Sequence, residues 1–148
     1  MAKLSQLHLV VSIEGKKESG LARQHQQAKD HLMSNQQKLS SLEQYRLDYL
    51  KLIRQKASEG LQAKALIQHQ SFVGKLDKAC EQQVQLINQA VLVVKQRKEQ
   101  WLKQKAKTQA VAKFIETQTH KQSLIESKQE QRLFDELSAL AHYKRRIS

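Results

Sequence analysis

The sequence predicts an all-α fold: a long antiparallel two-helix coiled coil, a helical hairpin whose second helix overhangs the first. Three observations lead there. The 148 residues include no proline and only four glycines, so little is available to punctuate many short elements. Gln, at 23 residues, dominates the composition together with Lys, Leu and Ala, and all four favour helix. Apolar residues recur at alternating three- and four-residue intervals over most of the length, the spacing of a coiled-coil seam. No apolar run reaches membrane-spanning length. The N-terminal "LHLVVSI" is too brief and too polar-flanked for a secretory segment. Cys80 is a lone cysteine without a partner for an internal disulfide, which fits a reducing, cytoplasmic setting. The whole of 1–148 reads as a single hairpin.

The first helix is expected over about 3–57, with Gly15 and Gly20 as its only interruptions. Its seam runs through Ala28, Leu32, Asn35, Leu39, Leu42, Arg46, Tyr49 and Ile53. Before Ala28 the seam weakens, so this N-terminal stretch is the part expected to fray. The bend follows in "ASEG", near 58–61, where Gly60 supplies a left-handed cap. The second helix is expected over about 62–143, with a seam of Val73, Leu76, Cys80, Gln83, Ile87, Ala90, Val94, Arg97, Trp101, Gln104, Thr108, Val111 and Ile115. At about 1.5 Å per residue it would reach roughly 120 Å, and the hairpin would be a rod.

Folding about Gly60 sets opposite one another residues whose numbers add to roughly 121. Tyr49 then meets Phe72, Tyr45 meets Leu76 and Leu42 meets Ala79. Leu42, Tyr49 and Leu76 belong to the seam, while Tyr45, Phe72 and Ala79 fall one position to its side. Apolar surface therefore spills out of the seam near the bend. Such a patch suits a partner, or else it broadens the core where the bend needs clamping. By the same arithmetic a first helix starting near residue 3 finds its mate near 118, so "THKQSLIESKQEQRLFDELSALAHYKRR" projects past the hairpin. Leu133, Phe134, Leu137, Leu140 and Ala141 recur there at helical spacing as an apolar stripe, which a solvated helix has no reason to carry. Pairing of two overhangs in a dimer would cover it, and so would another protein.

The formal net charge of +12 favours polyanions or acidic protein surfaces. Residues 95–113 concentrate seven Lys and Arg against one Glu, and the residues opposite them, 8–26, are not expected to neutralise the run. Elements that read nucleic acid are missing: there is no zinc spacing, glycine-rich loop or aromatic platform. A basic hairpin binding nucleic acid stays as the alternative function. Its affinity would fall steeply with salt, whereas an apolar patch would hold. The six histidines lack the three- or four-residue spacing of paired ligands and are read as solvated surface, with no metal and no cofactor. Ser58-Glu59-Gly60 is a turn with no strand before it, Trp101 is packing, and no carboxylate pair has an enclosed setting. The chain reads as a non-enzyme.

"LEQYRLDY" before the bend, "HQSFVGKLDKACEQQVQL" after it and "KQEQRLFDEL" near the end resemble the flagellar export protein FliJ family along nearly the whole chain. That resemblance implies an antiparallel two-helix coiled coil similar to the central stalk of rotary ATP synthases. It implies a cytoplasmic component of the flagellar type III export apparatus that binds and stimulates the hexameric export ATPase FliI from within its pore. It further implies contact with the cytoplasmic part of the export gate FlhA, and hence a peripheral position at the inner membrane, with export chaperones as additional partners and no nucleic acid. Leu42, Tyr45, Tyr49, Phe72, Leu76 and Ala79 match the family's gate-binding patch, with Lys38 and Gln83 at its edge. The overhang, through Leu133, Phe134, Leu137 and Leu140 and the terminal Lys144, Arg145 and Arg146, is the part the resemblance sends into the ATPase ring.

Overall fold

The computed structural model describes residues 2–147 and contains two helices, α1 (Ala2–Ser58) and α2 (Ala63–Ile147), which pack against each other as an all-α hairpin. Three of the four helix ends fall within one residue of expectation. The fourth does not, because α2 continues past 143 to Ile147. Its last turn carries Lys144, Arg145 and Arg146, cations that favour the negative end of the helix dipole, and no proline or glycine stops it. At the bend the Glu59 N–H donates to the carbonyls of Gln55 and Lys56, and the Gly60 N–H donates to Ala57. Gly60 takes φ = +96°, the left-handed conformation that turns the chain and that a side chain would oppose. The Leu66 N–H then closes the first turn of α2 on the Gln62 carbonyl.

Residues up to Glu18 together with those from Lys103 on form one compact unit, and Ser19–Leu102 forms a second. In Ser19–Leu102 the two helices meet along the anticipated seam. Ala28, Leu76 and Ala90 are buried, and Leu32, Leu39, Leu42, Tyr49, Ile53, Val73, Cys80, Ile87 and Val94 are half-buried. In the other unit the seam is Leu4, Leu7, Val11, Glu14 and Glu18 against Gln104, Thr108, Val111, Ile115 and Gln118. A helix with a single neighbour cannot be surrounded, and no large side chain among the described residues is sealed completely from solvent.

The three-four alternation does not stop at Ala28. It continues backward through His25, Leu21, Glu18, Glu14, Val11, Leu7 and Leu4, each buried or half-buried. The stretch expected to fray is thus paired, by polar groups as much as by apolar ones. Two polar layers show how. Gln83 Nε2 donates to both the side-chain and the main-chain oxygen of Asn35, each at 2.9 Å, and Asn35 Nδ2 donates to the His31 carbonyl at 3.0 Å. In the other unit Gln104 Nε2 donates to the Glu14 carboxylate, and Thr108 Oγ1 lies 3.3 Å from the Glu14 carbonyl. Buried polar side chains cost stability unless partnered, and these have partners.

Two histidines correct the expectation of solvated surface. His25 is buried and stacks on Trp101, with ring centres 5.5 Å apart and planes 17° from parallel. His69 is half-buried and shares a hydrogen bond with the Tyr49 hydroxyl. Both stand on seam positions, three before Ala28 and four before Val73, where a ring packs whatever its polarity. Trp101 is packing, as anticipated.

Candidate functional site

Two surfaces gather the residues singled out in the sequence. The first lies beside the bend in Ser19–Leu102. Tyr49 occupies the seam and lays its ring against Phe72, centres 4.7 Å apart. Tyr45, one helical turn earlier, stacks on Tyr49 at 6.5 Å and meets the edge of Phe72 at 6.4 Å. Tyr45 thus pairs with Phe72 rather than with Leu76. Flanking positions recur every seven residues, so the nearest member of the facing column on α2 is Phe72, while Leu76 belongs to the seam. Offset and edge-on ring contacts of this kind hold aromatic clusters together.

Within that group the side chains play unequal parts. Tyr45 is 52% exposed and Phe72 is half-buried, so both offer ring surface to solvent. Leu76 retains 7% exposure and is core, and it can support a partner site only from beneath. Leu42 and Ala79 are half-buried at the margin of the seam. The Tyr49 hydroxyl is engaged with His69, which fixes the ring. On the other flank Arg46 donates to the Asp77 carboxylate, a cross-helix ion pair that ties the two helices beside the cluster.

The second surface is the end of α2. From Thr119 to Ile147 every residue is exposed, so the helix leaves its partner directly after Gln118, where the arithmetic placed the break. Leu133, Phe134, Leu137 and Leu140 all stand in solvent, Phe134 at 66%. The seam's own phase would proceed through Gln122, Ile125, Gln129, Arg132 and Glu136. The stripe is one residue out of that phase. It is therefore a separate apolar face with its own orientation on the helix, and a partner that reads it need not follow the seam. Lys144, Arg145 and Arg146 close the helix as exposed cations.

The basic run at 95–113 is less uniform than its sequence. Arg97 Nη1 donates to Gln24 Oε1 at 2.9 Å, and Lys107 Nζ lies 3.6 Å from Glu14 Oε1, as does Lys17 Nζ. The facing segment thus does engage part of the run. The Glu14 carboxyl is held below its ordinary value, first by the Gln104 hydrogen bond, against the opposing effect of burial, and then by Lys107 and Lys17. In the sequence Glu14 is one charge among those of residues 8–26 that face the run. Its seam position, seven and eleven residues before the half-buried Leu21 and buried His25 in the same alternation, is the signal that marks it as interior.

Among the described residues no helix is long and apolar enough to cross a membrane, and no group of three or more His, Cys, Asp or Glu is placed to hold a metal ion. No curated protein and no solved structure matches the chain. A family model described as the flagellar FliJ protein does match, over residues 3–146. With nearly the whole sequence inside that match and the two-helix hairpin beneath it, the chain belongs to the flagellar FliJ family and is a flagellar export-related protein.

Proposed function

We infer that the chain is a central-stalk-like component of the flagellar type III export apparatus, which binds and stimulates the hexameric export ATPase FliI and links it to the export gate FlhA. The observation that carries this reading is the overhang. About 29 residues of bare helix, roughly 43 Å at 1.5 Å per residue, carry an apolar stripe that nothing among the described residues covers. A pore wall would cover it from outside, and the terminal Lys144, Arg145 and Arg146 would meet acidic pore residues. A binding protein speeds an ATPase only by preferring the ring conformers that turn over faster, so the stripe must grip those conformers more tightly than the others.

The aromatic cluster supplies the second contact. The exposed Tyr45 and the half-buried Phe72 offer ring surface backed by Tyr49 and Leu76, the arrangement of a rigid hot spot. On this reading the cluster holds the cytoplasmic part of the gate, and the chain reaches the inner membrane through that contact from the cytoplasm. Export chaperones are further partners in an escort role.

Replacing Phe134 and Leu137 together by Ser is expected to remove most stimulation of the export ATPase. The chain's helicity by circular dichroism should be unchanged, because both side chains are already in solvent. The pair Tyr45→Ala and Phe72→Ala is expected to do the reverse, losing gate binding and keeping stimulation. Full stimulation by the overhang variant would remove the basis for the stalk assignment.

A further inference from the structure

The apolar surface beside the seam does not end at the aromatic cluster. On α2 the flanking column, taken every seven residues from Phe72, reads Phe72, Ala79, Leu86 and Val93. All four are apolar. Leu86 and Val93 are 49% and 42% exposed, so they stand on the surface although the seam beside them is closed by Ile87, Ala90 and Val94. The matching column on α1, on the side where Tyr45 meets Phe72, reads Tyr45, Lys38, His31 and Gln24. On the α1 side of this flank the surface sinks into a shallow groove of about 490 Å³. Ser34, Gln37, Lys38 and Ser41 line it, and the seam residues Leu42 and Gln83 complete it.

The opposite flank of the seam is different. There α1 presents Glu43 and Lys29, and α2 presents Asp77 and Lys98 around Val84 and Val91, so charges of both signs interrupt it. Only one flank offers an unbroken apolar column beside a groove. Seven-residue recurrence over three heptads is the pattern that a further helix packs against, because its own side chains recur with the same period. From Phe72 to Val93 the column spans about 32 Å.

Charge selects the occupant. Lys38 of α1 lines the groove and Lys75 of α2 stands on the same flank by heptad position, two cations against the one carboxylate of Asp48, which accepts from Gln44 Nε2 at 2.9 Å. The chain as a whole carries +12, so a second copy would bring like charge to a basic face. We propose that the flank running from Tyr45 and Phe72 to Gln24 and Val93 receives an acidic amphipathic helix of about three heptads from another protein, which completes a three-helix coiled coil with Ser19–Leu102. Its apolar side lies on Phe72, Ala79, Leu86 and Val93, and its carboxylates face Lys38 and Lys75. The inference rests on the gate-binding reading only where the two share Tyr45, Phe72 and Ala79. Leu86, Val93 and Lys38 carry the rest.

The probe is a designed peptide of three heptads with Leu at two positions per heptad and Glu along one flank, titrated calorimetrically into the full chain. Its counterpart with Lys in place of Glu is expected not to bind. Leu86→Gln with Val93→Gln should weaken the acidic peptide at least about tenfold, since two half-exposed apolar side chains lose their cover in the complex. Val84→Gln with Val91→Gln, on the other flank, should leave it within about twofold. Lys38→Glu should weaken the acidic peptide and admit the basic one. If the double variant is less helical by circular dichroism, Leu86→Gln alone gives the same readout. Equal losses from the two flanks, or none from Leu86→Gln and Val93→Gln, would overturn the proposal. The gate domain is measured on the same variants. Unchanged gate binding by Tyr45→Ala with Phe72→Ala would reject the gate reading and leave the peptide result standing.

Discussion

Glu14 occupies a position where a coiled coil ordinarily places an aliphatic side chain, and it stays ionised there because Gln104, Lys107 and Lys17 converge on it. Its carboxyl is depressed below the ordinary 4.5, mainly by the Gln104 hydrogen bond. A carboxylate depressed in the folded state contributes stability that is fully present above its unfolded value and is lost as pH falls through the folded one. The expected result is a difference in thermal midpoint between the native chain and Glu14→Gln that is constant at neutral pH and changes only as pH drops below about 4.5. A difference that is the same at neutral and strongly acidic pH would show that ionisation of Glu14 plays no part. None of this was visible from the sequence, where hydrophobicity was the guide to the seam. Glu14, Glu18 and His25 keep the three-four spacing but not the polarity, and the spacing proved the better indicator.

Between the helices, the Asn35–Gln83 layer links two positions 48 residues apart with both amides buried. Such a layer contributes little net stability but penalises any sliding of α1 along α2, since a shifted register would bury each amide against an apolar residue. Asn35→Ala should destabilise the hairpin by about 0.5–1.5 kcal/mol in urea unfolding, because the buried Gln83 amide keeps its bond to the main-chain oxygen of residue 35 and loses the one to the side chain. The double replacement Asn35→Leu with Gln83→Leu should recover most of that loss. If the double variant is no better than the single one, the layer is not a matched pair. The helices themselves were legible from composition and spacing, since nothing but Gly60 breaks them and the overhang follows by subtraction. The last turn of α2 was not, because helix-terminal charge is a weak signal beside the fading of apolar periodicity. The flank was read correctly as far as Ala79 but not beyond. Leu86 and Val93 look like seam residues in a sequence that is apolar from Ile87 to Val94 in all but two positions, and only their exposure separates them.

For the molecule as a whole, the two candidate surfaces fall in different compact units, the aromatic cluster in Ser19–Leu102 and the overhang in the unit that includes α2 from Lys103 on. Membership of the flagellar FliJ family fixes the setting as flagellar export, and on the proposed reading the division of surfaces supplies a way for one chain to join two machines. The family and the clustering of aromatic rings near the bend were within reach of the sequence because such rings are so scarce in it that their positions are informative, although Tyr45 meets Phe72 and not Leu76. That the apolar face of the overhang stands one residue out of the seam's phase was also within reach, since it follows from counting on from Ile115 along α2. The stalk account divides its two contacts at Gln118, the last residue of α2 that is not exposed. Its most direct test is the hydrolysis rate of the export ATPase with saturating full-length chain and with the chain truncated after Gln118. Truncation removes no buried residue, so helix pairing and gate binding should persist while stimulation disappears. A truncated chain that stimulates the ATPase as well as the intact one would contradict the account.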